Sequence, residues 1–160
     1  MDYIFQKMTQ EQAETIAFIW KYENEYSFYN MTADEEDLKD FLNSELRENS
    51  HFSVYKDNEL IGFFTFNIKE PRIVNIGLGM KPQLVGKGEG LNFLLAGMEY
   101  AKNKYSPLFF SLIVAAFNLR AIKVYERAGF IKTETFIQET NGGKYDFIKM
   151  LYLVNKDDNI

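Results

Sequence analysis

Three glycines alternate with other residues in Gly86-Lys87-Gly88-Glu89-Gly90, directly after Gln83-Leu84-Val85. A strand-like stretch precedes them and a run of helical periodicity follows, so they fall at a strand-to-helix junction. A helix N-terminus carries unpaired N–H groups and partial positive charge. Glycine lets the backbone ahead of it wrap an anion with no Cβ in the way. Lys87 adds a cation, so the chemistry on offer is phosphate binding, set against a plain strand-to-helix turn. A P-loop is excluded, because Gly88 stands where Ser or Thr must follow Gly86-Lys87 and Lys81 stands where the first glycine belongs. A dinucleotide turn shares Gly86-x-Gly88. It also requires a third small residue where Leu91 stands, and an acidic residue where the next strand ends at Ala116-Phe117-Asn118.

Upstream, Gly77 and Gly79 interrupt a strand and lie on one face of it, leaving bare backbone. Such a strand suits either a bulge or close approach by a ligand. A linear ligand with amide groups adds itself to a strand by main-chain hydrogen bonds. Pantetheine followed by a pyrophosphate has that shape.

These residues need elements to position them. Tyr3–Met8 reads as a first strand. Thr9 caps a helix over Gln10–Tyr22 with Ala13, Ile16, Ala17 and Trp20 on one face. Glu23–Asn30 reads as a loop, and Thr32 caps a second helix over Ala33–Glu48. Phe52–Lys56, Leu60–Lys69 and Arg72–Met80 read as strands, with turns at Asp57-Asn58 and Glu70-Pro71. Gly88–Lys104 is a helix with Leu91, Leu94, Leu95 and Met98 on one stripe. The apolar run Leu108–Ala116 suits a strand covered on both faces, as in parallel sheets. Asn118 opens a last helix that ends near Ala128, with Gly129 as its left-handed stop. Phe130–Glu139 and Lys144–Val154 form a hairpin around Asn141-Gly142-Gly143. The order is mixed α/β, expected as one domain over 1–154 with a charged tail over 155–160.

With 46% hydrophobic and 16% aromatic residues among 160, disorder is excluded. A net charge of -5 disfavours nucleic acid and anionic membranes as partners. The absence of cysteine removes disulfides and thiolate chemistry, and a single histidine disfavours a metal site. Met1–Thr9 has no long apolar run and reads as neither signal peptide nor anchor, so a cytoplasmic protein is expected.

Gln83-x-x-Gly86-x-Gly88 at this junction resembles the acyl-CoA motif of the GNAT N-acetyltransferase superfamily. Asn118-x-x-Ala121-x-x-x-Tyr125-x-x-x-Gly129-Phe130 is similar to the family's second motif. The resemblance covers roughly Ile76–Phe130. It implies a central mixed sheet of about seven strands flanked by four helices and splayed between the fourth and fifth strands. It implies acetyl-CoA as co-substrate, with no metal. The main chain of Leu78 and Met80 would bind pantetheine, and the amides of Val85, Gly86, Lys87, Gly88, Glu89 and Gly90 the pyrophosphate. Asn118 would bond the CoA arm and Tyr125 would lie beside the sulfur.

The reaction expected is attack of an amine on the thioester carbonyl. The Met80 N–H would meet the carbonyl oxygen as it gains charge, and Tyr125 would protonate the leaving thiolate. Some relatives carry a glutamate on the strand before the glycine loop, and Arg72–Met80 holds no carboxylate. Glu23, Glu25, Glu70 or a water chain stand as bases. Trp20–Tyr29 combines aromatics with Glu23 and Glu25. That mixture gives Glu23, Glu25, Tyr26 and Tyr29 as candidates to hold a cationic amine, or else aromatics that anchor a loop to the core. His51 reads as an exposed turn residue. A small-molecule or peptide amine is the expected acceptor, and a homodimer is compatible with the family. A catalytically silent acyl-CoA-binding module is the alternative, and a nicotinamide enzyme is disfavoured.

Overall fold

The computed structural model describes residues 2–154. The tail expected over 155–160 lies outside them. Seven strands form one sheet in the order β1-β2-β3-β4-β5-β7-β6. They are β1 (Ile4–Lys7), β2 (His51–Lys56), β3 (Glu59–Glu70), β4 (Ile73–Met80), β5 (Phe109–Ala115), β6 (Ile131–Thr140) and β7 (Gly143–Leu153). The helices are α1 (Gln10–Phe18), α2 (Glu35–Leu42), α3 (Ser44–Arg47), α4 (Gly90–Tyr105) and α5 (Leu119–Ala128), and four of these have eight residues or more. The tight turns follow their sequence signals. Asp57 and Asn58 both take positive φ, 52° and 64°, as do Asn141 and Gly142, 51° and 76°, which matches the twist of the hairpins they close.

All neighbouring strands are antiparallel except β4 and β5. That parallel pair holds register only over Ile73–Asn75 against Phe109–Ser111. Beyond Asn75 the strands part. β4 stays on β3 as far as Met80 paired with Gly62, while β5 stays on β7 as far as Ala115 paired with Phe147. This is the splay expected between the fourth and fifth strands. β5 is parallel on one side only, and its apolar run owes its burial to cover on both faces.

The sheet separates two cores. α4 lies on one face, where Phe64 stacks on Phe93 with ring centroids 4.7 Å apart and Phe5 on Tyr100 at 4.4 Å. α5 adds Ile122 to the same core. On the other face Ala13, Ile16 and Ala17 of α1, Trp20 just beyond it and Phe41 of α2 are buried, with Phe63 of β3 packed against them. Adjacent residues on β3, Phe63 and Phe64, thus serve opposite cores, as the two-residue side-chain period requires.

Tertiary bonds redraw the first half of the chain. Thr9 caps α1 as expected, with Gln12 closing the capping box. The helix stops at Phe18 and not at Tyr22. There the Tyr22 N–H donates to Asn30 Oδ1 at 2.7 Å and the Tyr22 hydroxyl to the Met80 carbonyl at 2.6 Å. The expected loop Glu23–Asn30 is largely a 3-10 stretch, Asn24–Tyr29, followed by a further one at Met31–Ala33. The expected helix Ala33–Glu48 is two helices. Its cap is Asp34, whose Oδ1 accepts from Asp37 N, while Thr32 accepts from Lys21. Asn43 breaks it with extended backbone and turns Arg47 inward, where Nη1 donates to Phe41 O and Nη2 to Gln10 Oε1, each at 2.6 Å.

His51 is not an exposed turn residue. It opens β2 opposite Thr65, with its ring 5.6 Å from Phe41 and Nδ1 2.8 Å from the Ser50 hydroxyl. Burial, and secondarily the Arg47 charge, lower its pKa to about 4.

Candidate active site

Where β4 and β5 part, a cavity of about 640 Å³ opens through the sheet. This is within the size range of small-molecule sites, roughly 300–1,000 Å³. On the α4 and α5 side it is walled by the glycine loop, Val124 and Tyr125. On the α1 side it is walled by Trp20, Tyr22, Tyr26, Tyr29, Met31 and Phe63. Ile113 of β5 is 46% exposed because its side chain faces this space.

The glycine loop lies at one end. Gly86 and Gly88 take φ of 80° and 81°, a left-handed backbone that glycine adopts without strain. A Cβ on Gly88 would meet no atom within 4 Å, so the space above it is open. α4 starts at Gly90 with no side-chain cap, which leaves its first-turn N–H groups for an anion. The cation at this end is Arg120, unmarked in the sequence. Its Nη1 lies 3.1 Å from where a Gly86 Cβ would sit, and its guanidinium stacks on Tyr26 at 4.3 Å. Lys87 is exposed and lies outside the lining, and Glu89 pairs with Lys56 at 3.6 Å. An open cradle, uncapped helical N–H groups and a guanidinium fit a pyrophosphate.

The β4 edge supplies the next part. The Lys81 N–H donates to Ile61 O on the β3 side at 2.8 Å. Main-chain groups alternate along a strand, so those of Met80 and Leu78 point into the opening, where β5 no longer pairs. Gly77 and Gly79 lie in regular register without a bulge. A Cβ on either would collide with the cross-strand Thr65 or Phe63, so Phe63 covers the bare backbone of Gly79.

Tyr125 is half-buried and lines the same cavity. Burial, with a smaller push from Tyr29, raises its pKa and keeps the phenol protonated well past neutral pH. Asn118 caps α5 through Oδ1 to Ala121 N at 3.2 Å, and its Nδ2 donates to the Tyr29 hydroxyl at 3.2 Å. Burial raises the pKa of Tyr29, which Asn118 partly opposes. The segment carrying Tyr26 and Tyr29 is held from the far edge by Asn141, whose Nδ2 donates to Phe28 O at 2.9 Å.

The candidate acids fall elsewhere. Glu23 and Glu25 are exposed and outside the lining. Glu70 pairs with Ile73 at the hairpin end of β4. At about 3.3 Å per residue, that is roughly 23 Å along the strand from Met80. Among the described residues no Asp, Glu or His lines the cavity, and no cluster of such residues is arranged to hold a metal ion.

A strand-splayed sheet with a glycine loop, an unpaired strand edge and a phenol facing one cavity fits an acyl-CoA-dependent transferase. The chain belongs to the GNAT acetyltransferase family, whose model matches residues 7–130. Solved structures with this fold include a GNAT-family acetyltransferase from Bacillus anthracis. It is 17% identical, with a TM-score of 0.75 and 94% of each chain covered. Another is the spermidine N-acetyltransferase of Vibrio cholerae in complex with CoA and spermine. It is 19% identical, with a TM-score of 0.73, covering 94% of this chain and 95% of that one. No curated protein matches the chain by sequence. Among the described residues no helix is long and apolar enough to cross a membrane.

Proposed function

We propose that this family member transfers the acetyl group of acetyl-CoA to a primary amine by direct attack in a ternary complex. The observation that carries this reading is the continuity of the cavity. One space joins the Gly86–Gly90 cradle, the free edge at Leu78 and Met80, and the Tyr125 phenol to a wall on the opposite face of the sheet. The Gly86–Gly90 loop and Arg120 hold the pyrophosphate, and the main chain of Leu78 holds pantetheine, the Met80 carbonyl being taken by the Tyr22 hydroxyl. Asn118 supports the CoA arm while capping α5. The acceptor enters from the α1 side, where Tyr26 and Tyr29 stand.

The amine nitrogen forms a bond to the thioester carbonyl carbon and the carbon–sulfur bond breaks. The Met80 N–H faces the carbonyl oxygen as it gains charge. Tyr125 donates its proton to the departing sulfur and recovers one from the acylated nitrogen, directly or through water, so the products are an amide and the CoA thiol. Holding the two reactants in one geometry supplies much of the rate. Without a carboxylate in the lining, the amine loses its proton with help from its surroundings. Desolvation in the slot disfavours an ammonium, and the amine gives that proton to solvent water before it attacks.

The test is a thermal shift with acetyl-CoA followed by an assay for released CoA thiol with amines. The chain has no cysteine, so the protein gives no background with a thiol reagent. Saturation at about 100 times Kd should stabilise the fold by about 2.7 kcal/mol. No stabilisation would remove the acyl-CoA reading. Stabilisation without thiol release by any amine would favour a catalytically silent binding module.

A further inference from the structure

The α1 side of the cavity has a chemistry of its own. Trp20, Phe63 and Met31 form an apolar wall, with Phe63 over the bare backbone of Gly79. Tyr22, Tyr26 and Tyr29 complete it, offering rings and hydroxyls but no carboxylate. The Tyr22 hydroxyl is bound to the Met80 carbonyl at 2.6 Å, and the face of Tyr26 is covered by the Arg120 guanidinium at 4.3 Å. The charged side chains that line the cavity among the described residues are Arg120 and Arg127, both positive.

From this we infer that the acceptor is a monoamine carried on an aromatic or apolar body, and that polyamines are poor acceptors. The inference rests on the acetyltransferase reading above and specifies its substrate. An alkyl amine has a pKa near 10.4, so every nitrogen of a polyamine beyond the reacting one enters as a cation. A buried cation without a carboxylate partner is disfavoured, and among the described residues no carboxylate lines the cavity. An aromatic body gains instead from burial against Trp20, Phe63 and Met31. Its one nitrogen is the atom that must be neutral to react, so nothing charged stays behind in the slot. The chain shares its fold with the spermidine enzyme above. The side chains on this wall lead to a different acceptor.

The deciding experiment measures CoA-thiol release by the full chain with 2-phenylethylamine, benzylamine, spermidine and spermine at one pH, with acetyl-CoA binding followed separately by calorimetry. The expected result is a kcat/KM for 2-phenylethylamine at least about tenfold above that for spermidine. Spermidine equal to or better than the aryl amines would overturn the inference and leave the acetyltransferase reading standing. Binding of acetyl-CoA with no turnover of any amine would overturn both. Met31→Glu places a carboxylate on the wall and should raise the spermidine to 2-phenylethylamine ratio by about tenfold. An unchanged ratio in a folded variant would count against the charge argument. If that variant does not fold, the ratio in the unaltered chain decides alone.

Discussion

Replacing Gly88 by alanine places a methyl group in the space assigned to the pyrophosphate, and Gly142 supplies a matched control in the same molecule. Gly88 has φ of 81° and Gly142 has φ of 76°, and a Cβ at either would meet no atom within 4 Å. Both substitutions therefore carry the same conformational cost with no collision. A left-handed backbone costs an L-residue about 1–2 kcal/mol, offset by about 0.4–1 kcal/mol from the stiffer unfolded chain. The net loss is about 1 kcal/mol at each site, which lowers Tm by about 2–4 °C in a chain of this size. The two variants should differ in ligand binding. The Gly142 methyl lies at the tip of the β6–β7 hairpin, outside the cavity lining, while the Gly88 methyl enters the open space proposed for the anion. Calorimetric titration with CoA should show Gly142→Ala unchanged and Gly88→Ala weaker by at least tenfold, about 1.4 kcal/mol. Equal CoA affinity in the two variants, with equal falls in Tm, would refute the assignment of the loop to phosphate.

Tyr125→Phe should lower kcat by roughly 10²-fold with little change in CoA affinity, the usual scale for losing a general acid. Unchanged turnover would remove the phenol from the mechanism. Arg120→Ala should weaken CoA binding by about tenfold and flatten its dependence on salt, because a guanidinium above the loop is lost. Titrations at two ionic strengths check it. His51 has a folded pKa of about 4 against an ordinary value near 6.5. The unfolded chain therefore binds this proton first as pH falls, and stability drops between about pH 6.5 and pH 4. With the partial exposure of His51 discounted, the loss is about 1–2 kcal/mol. His51→Gln should shrink the Tm difference between pH 7.5 and pH 5, and an undiminished difference would assign that loss to other groups.

Local chemistry was legible in the sequence wherever neighbours along the chain decide the outcome. The hairpin at Asn141-Gly142, the Thr9 capping box and the left-handed stop at Gly129 (φ of 111°) all follow from backbone sterics and short-range hydrogen bonds. The glycine loop and the spacing from Asn118 to Tyr125 pointed to the cavity for the same reason, since each motif lies within one junction or one helix. What went unread depends on partners distant in sequence. Tyr22 leaves α1 because its hydroxyl reaches Met80, 58 residues on, and Arg47 turns inward for Gln10. His51 is drawn into the α1-side core by the Phe41 ring. Arg120 is one residue from Ala121 in the second motif, yet only the approach of α5 to the glycine loop makes it the cation there. The wall on the α1 side follows the same rule. Glu23, Glu25 and their aromatic neighbours are one stretch of sequence, and the packing of that stretch over the splayed strands turns the rings inward and leaves the carboxylates in water.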